Sequence, residues 1–196
     1  MTKRKPTTVR RAELADAALR IVATRGIAAL STRTLAEEVG LTSGGLFRHY
    51  ATLDDLLIGV SDRAAELLGA TFPAPELPWR ERLAAFVGAR LALVREHPGV
   101  PQLVLSDQFS LALPDQARET LRRSVAGTHA FLADVLLDGQ AAREIRADVD
   151  ADALATLFMG ALQVAVLTSR TSGSADPRPL VVLQALASVP TKEKLQ

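Results

Sequence analysis

The sequence predicts an all-α fold, and three observations carry that reading. Apolar residues recur at the helical period along almost the whole chain. No run of β-branched residues alternates long enough to make a strand, and aromatics are only 4%, too few for a typical sheet protein. Prolines punctuate the periodic segments: Pro73, Pro75 and Pro78 fall between two of them, Pro98 follows one and Pro114 starts another. The count is about nine helices, with no internal repeat.

Each helix has its own signals. Leu14, Ala17, Ala18, Ile21 and Val22 form one apolar stripe on a helix of residues 8–25, and Gly26 is its stop. Ser31 or Thr32 caps a short second helix reaching Val39, closed by Gly40. A third fits Ser43–His49. Thr52 caps a fourth, with Asp54 and Asp55 in the first turn, where carboxylates favour the helix dipole. Its buried stripe is Leu56, Leu57, Val60, Ala64, Leu67 and Leu68. Pro73, Pro75 and Pro78 then mark the clearest break. A fifth helix runs from Trp79 to Glu96, before Pro98. A shorter one follows Pro101 and ends near Leu111. Pro114 starts a long helix to Ala142. Residues 146–150 read as a loop with an N-cap. An apolar helix spans 152–170, residues 171–179 form a Gly/Ser/Pro loop, and a last helix covers 180–188.

Composition narrows the function classes. The 196-residue chain can bury a core without staples. It has no cysteine, which excludes disulfide frameworks, zinc–thiolate sites and cysteine nucleophiles. The basic start lacks a following apolar stretch, so no secretory signal is expected. The most apolar segment, Ala153–Leu167, is fifteen residues long. A membrane span needs about 20. A cytoplasmic protein without a membrane partner is expected. The net charge of +1 conceals an asymmetry: residues 1–53 hold nine Lys/Arg against four Asp/Glu, and residues 54–196 hold fourteen against eighteen. A basic head on an acidic body suggests a polyanion partner for the head.

Residues 31–50 carry the most information. Two short helices around a Gly turn have the helix-turn-helix layout. Leu35, Val39, Leu41 and Leu46 supply the side that packs the pair. Ala36 is small where the second helix crosses. Gly40 can take the positive φ of a tight turn. Thr42 and Ser43 are short and polar at the start of the second helix, able to cap it or to touch DNA.

From Arg11 to about Val60 the chain resembles the DNA-binding domain of the TetR (tetracycline repressor) family. The matching residues are Ala17-Ala18, Ile21, Arg25-Gly26, Ser31-Thr32-Arg33, Leu35-Ala36, Val39-Gly40-Leu41, Leu46-Phe47-Arg48-His49-Tyr50 and Leu56-Leu57. The resemblance implies a helix-turn-helix domain with a basic arm over 1–52, and a ligand-binding, dimerising domain over 53–196. It implies double-stranded DNA, a small-molecule effector and a second copy of the chain as partners. Thr32 and Arg33 would open helix 2, with Arg33 reaching a guanine edge. Thr42, Ser43, Gly45, Arg48 and His49 would face bases or phosphates. Lys3, Arg4, Lys5, Arg10 and Arg11 would form a phosphate- or minor-groove-binding arm. Two positions depart from the pattern. Phe47 stands where relatives have a phosphate-binding Tyr, and Leu53 where they have Lys. Losing two contacts softens the salt dependence of binding by about 2 units of log–log slope.

In the body, Trp79, Phe86, Phe109, Phe131 and Phe158 with Asp107, Gln108, His129 and Gln163 are candidate ligand contacts. Apolar walls with a few polar groups are what a small-molecule site needs, and they point to a hydrophobic or aromatic effector. The helix at 152–170 is apolar on nearly all sides, so it needs cover on both. Leu154, Leu157, Phe158, Ala161, Leu162 and Ala165, with Leu180, Val181, Leu183, Leu186 and Ala187, are the candidate dimer interface. The three histidines, His49, His97 and His129, are widely spaced. No phosphate loop, Gly-x-Ser-x-Gly or carboxylate–histidine motif is present. Neither a metal, a cofactor nor enzymatic activity is expected. The resulting expectation is a ligand-responsive repressor of a palindromic operator. The alternative is a DNA-bound adaptor of the nucleoid-associated division-inhibitor type, whose body binds a protein.

Overall fold

The computed structural model describes residues 6–106, 111–172 and Val181. Every regular element among the described residues is helical. Among the described residues there are eight α-helices: α1 Thr7–Arg25, α2 Thr32–Glu38, α3 Ser43–Phe47, α4 Leu53–Gly69, α5 Trp79–Glu96, α6 Gly99–Leu105, α7 Asp115–Ala141 and α8 Ala151–Ser172. The expected last helix, 180–188, lies outside the described residues apart from Val181.

Packing sorts the chain into two compact units. One holds residues 1–70 with 93–124, and the other 71–92 with 125–196. α4 therefore packs with the helices before it, and the division falls inside α5 and α7.

In the first unit, α1 buries the expected stripe Leu14, Ala17, Ala18, Ile21 and Val22. It also buries Ala15 and Leu19, which a single stripe leaves outside. The second face exists because α6 lies against it. A Cβ at Gly99 would overlap the Leu19 carbonyl, so the two backbones touch. Gln102 Nε2 donates to the Ala23 carbonyl nearby, at 3.3 Å. α6 starts two residues before Pro101, because a proline in the first turn loses no intrahelical bond.

In the second unit, Leu83, Phe86 and Val87 of α5 meet Leu132, Val135 and Leu136 of α7 and Leu154, Ala155, Phe158 and Leu162 of α8. The loop before α8 is closed by Gln140, whose Nε2 donates to the carbonyls of Arg146 (2.8 Å) and Val149 (2.7 Å). Asp150 Oδ1 accepts from Ala153 N at 2.8 Å, the expected N-cap.

Candidate functional site

Local hydrogen bonding builds the helix-turn-helix. Gly26 ends α1 at φ 78°. Of the two residues able to cap α2, Ser31 does so. Its Oγ accepts from Thr34 N at 3.1 Å, and Thr34 Oγ1 accepts from Ser31 N at 2.9 Å, a reciprocal box. Thr32 is left in the first turn of the helix. α2 closes through Gly40, at φ 65°, with Gly40 N bonded to the Glu37 carbonyl and Leu41 N to the Ala36 carbonyl. This pair of bonds satisfies the last carbonyls of the helix and turns the chain sharply. Thr42 then caps α3, its Oγ1 accepting from Gly45 N at 3.1 Å.

α3 ends at Phe47, two residues short of the expected His49. His49 and Tyr50 instead bond back to the Leu46 carbonyl. Thr52 starts α4 with a second reciprocal box, to Asp55. Leu46 and Tyr50 hold the unit from beneath, 0% and 2% exposed. The Tyr50 ring lies directly on Gly59, its hydroxyl donates to the Arg11 carbonyl at 3.2 Å, and the Arg11 guanidinium covers its face at 4.7 Å. Burial holds the Tyr50 phenol above its ordinary range, so it stays a neutral donor.

The opposite side of α3 is open. Thr42, Gly44, Phe47 and Arg48 are exposed, and Arg48 makes no ion pair among the described residues. Arg33 is also exposed and is held by Glu37 at 3.0 Å; Arg10 is held by Glu13 at 2.9 Å. Gly45 is buried, and its missing side chain leaves room for the Thr42 hydroxyl. His49 is half-buried, with Nδ1 enclosed and unpartnered. Leu53 is exposed beside this surface in sequence. Of Ser43 only the backbone is described, and Lys3, Arg4 and Lys5 lie outside the described residues.

The body candidates divide. Phe86 and Phe158 are fully buried in the second core, with Trp79 and Phe131 packed at its edge. Trp79 Nε1 donates to Glu144 at 2.8 Å, and Arg80 lies over its ring. His129 sits apart, bonded to Thr156 at 3.0 Å, and Gln163 is exposed. Asp107, Gln108 and Phe109 lie outside the described residues, as do Leu180, Leu183, Leu186 and Ala187. Among the candidate interface residues of α8, Leu154, Phe158, Leu162 and Ala165 turn into the subunit's own interior, and Ala161 is half-buried. The open apolar stripe is Leu157, Val164 and Leu167, with Gly160 between them; Val181 is exposed too. Hydropathy is alike on the two faces, so only packing distinguishes them.

Two buried arginines of α5 escaped the sequence reading. Arg82 reaches Asp134 (2.5 Å) and Asp138 (2.9 Å). Arg90, 6% exposed, donates from Nη2 to the Thr128 hydroxyl at 3.2 Å. Its Nε has no partner. Its guanidinium stands 4.9 Å from the Phe86 ring and 5.8 Å from that of Phe72. Phe72 stacks on Phe86, and Phe131 packs at a tilt on both, with centroids 4.9–5.8 Å apart. Burial pushes the Arg90 pKa down to about 10. A signal was present: residues 82, 83, 86, 87 and 90 fall on one helical stripe, so both arginines sit where an apolar residue belongs.

Among the described residues no group of ligating side chains could hold a metal ion, and no helix is long and apolar enough to cross a membrane.

Comparisons with known proteins agree with this architecture. The family profile described as bacterial regulatory proteins, tetR family, matches residues 14–60. That of the tetracyclin repressor-like C-terminal domain matches residues 80–182. A TetR-family regulator from Agrobacterium tumefaciens superposes with a TM-score of 0.77 at 19% identity, covering 93% of this chain and 100% of that one. A transcriptional regulator from Saccharomonospora viridis in complex with choline gives 0.75 at 22% identity, over 90% and 95% of the two chains. The ketosteroid regulator KstR2 of Mycobacterium tuberculosis gives 0.71 at 23%, over 91% of each. No curated protein matches the sequence significantly. With both its domains matched and an all-helical fold shared with these regulators, the chain belongs to the TetR family of DNA-binding transcriptional regulators.

Proposed function

We propose that the protein is a homodimeric, cytoplasmic, non-enzymatic repressor that leaves a palindromic operator when a small apolar or aromatic molecule binds its body. The observation that carries this reading is the open side of α3. Thr42, Phe47 and Arg48 stand exposed while Leu46 and Tyr50 fix the helix from below. Residues 1–52 act as the reading head and 53–196 as the sensing and pairing body. The exposed stripe of Leu157, Val164 and Leu167 supplies a face for the twofold partner. Two heads would then engage major grooves about 34–36 Å apart. The choline complex of one neighbour and the ketosteroid named for another support a small organic effector.

Selection of genomic fragments by the purified full chain, sequenced at several salt concentrations, tests the proposal. One enriched palindrome with salt-dependent affinity is expected. Many scattered sites would favour an adaptor instead, and no enrichment at low salt would overturn DNA recognition. On the enriched site, Phe47→Tyr with Leu53→Lys should steepen the salt slope by about 2, one unit per added phosphate contact.

A further inference from the structure

Arg90 is a buried cation that no carboxylate reaches among the described residues, and burial lowers its pKa. With a pKa of about 10 it is still charged at neutral pH. Two ring faces and one hydroxyl stabilise it in part. An isolated buried charge remains costly, and its Nε–H points to nothing. Arg82, two turns earlier on the same helix, shares the unpartnered Nε but not the unmet charge: that is met twice over, by Asp134 and Asp138. Where the fold needs a buried arginine for its own architecture, it supplies the acids.

We propose that Arg90 is the anion anchor of the effector site, and that the effector is a monocarboxylate with an apolar, preferably aromatic, body. This rests on the reading of the second unit as a sensing body. The carboxylate follows from geometry and charge. A planar guanidinium presents parallel N–H groups that match the two oxygens of a carboxylate. One unmatched positive charge suits one negative charge, and the neighbouring Arg82 has none to spare for a dianion. The apolar body follows from the surroundings. Phe72 and Phe86 lie beside the charge, Phe131 packs on both rings, and Leu83 and Val87 belong to the same core.

Isothermal titration of the full chain with benzoate, 3-phenylpropionate and octanoate, each against its primary amide, tests this. At least one acid should bind about 10- to 100-fold tighter than its amide. Arg90→Met should abolish that preference without lowering the thermal midpoint of the ligand-free chain. Arg90→Lys, charged but without the planar fork, should restore only part of it. Amides binding as well as acids would overturn the anchor while leaving the sensing body intact. Failure of every acid and every amide would remove both readings. An acid preference that survives in Arg90→Met, with a lowered midpoint, would make Arg90 a packing residue. If Arg90→Met does not fold, the acid-against-amide ratio on the native chain decides alone.

Discussion

Arg63 on α4 and Arg90 on α5 are both withdrawn from solvent, one in each compact unit, but they are held in opposite ways. Arg63 grips Asp16 of α1 with two bonds, Nε to Oδ1 at 2.8 Å and Nη2 to Oδ2 at 3.3 Å, and adds Glu66 at 2.9 Å. Those acids hold its pKa above the ordinary arginine range. Arg90 has aromatic faces and a hydroxyl but, among the described residues, no acid, and burial drives its pKa the other way. In the first unit this half-buried arginine is met by acids on its own and a neighbouring helix. Among the described residues the second keeps one charge unmet, and it is on this charge that the proposed effector anchor rests.

The largest test of this contrast uses glycines. Gly99→Ala should destabilise the chain by about 3 kcal/mol, since its Cβ meets the Leu19 backbone and no flexible side chain can yield. Gly88→Ala, on α5 in the second unit, meets open space and should stabilise by about 0.5–1 kcal/mol. Urea denaturation of the two variants gives both numbers; similar values would erase the difference in tightness.

A single substitution applied to both arginines should give opposite signs. Arg63→Met leaves Asp16 without its partner and should cost about 1–2 kcal/mol. Arg90→Met removes an unpaired charge at similar volume and should raise stability by about 1 kcal/mol in the absence of ligand. Thermal unfolding at neutral pH reads both, and matching signs would sink the distinction.

The smallest effect is a pH dependence. The folded pKa of Arg90 lies near 10, below the ordinary arginine range, so the unfolded chain binds that proton more tightly. The penalty is fully present below pH 10 and fades as pH rises above it towards the ordinary arginine range. The advantage of Arg90→Met over the native chain should therefore shrink by a few tenths of a kcal/mol or more between pH 10 and 11, at most about 1.4 per unit. A constant gap across that range would mean that the arginine is not held as described.

Reading the chain without its structure succeeded where the cause is local. The boxes at Ser31 and Thr52 and the turns at Gly26 and Gly40 each close within about four residues, so their residue types announce them. The second buried face of α1 was illegible, because the helix that covers it at Leu19 arrives eighty residues later. The exposed side of α3 was legible only through resemblance: Phe47 and Arg48 look the same on paper whether they face outward or not. Arg90 was missed for the opposite reason. Charge is taken for solvent exposure, and its place on an apolar stripe outweighed that expectation. The orientation of α8 could not be ranked, since Phe158 and Leu157 are adjacent and equally apolar, yet one is sealed in and the other open.

Tyr50 has a mechanical meaning. Its ring lies on Gly59 in the middle of α4, its hydroxyl is fastened to the backbone of α1, and its own backbone closes the last turn beyond α3. Three segments share one pin. Such a joint has no hinge within the head: α3 cannot tilt on α4 without prising a buried ring off bare backbone. Any rotation delivered to α4 therefore swings the whole head, like a key turned by its shaft. The reading face changes its bearing and not its shape.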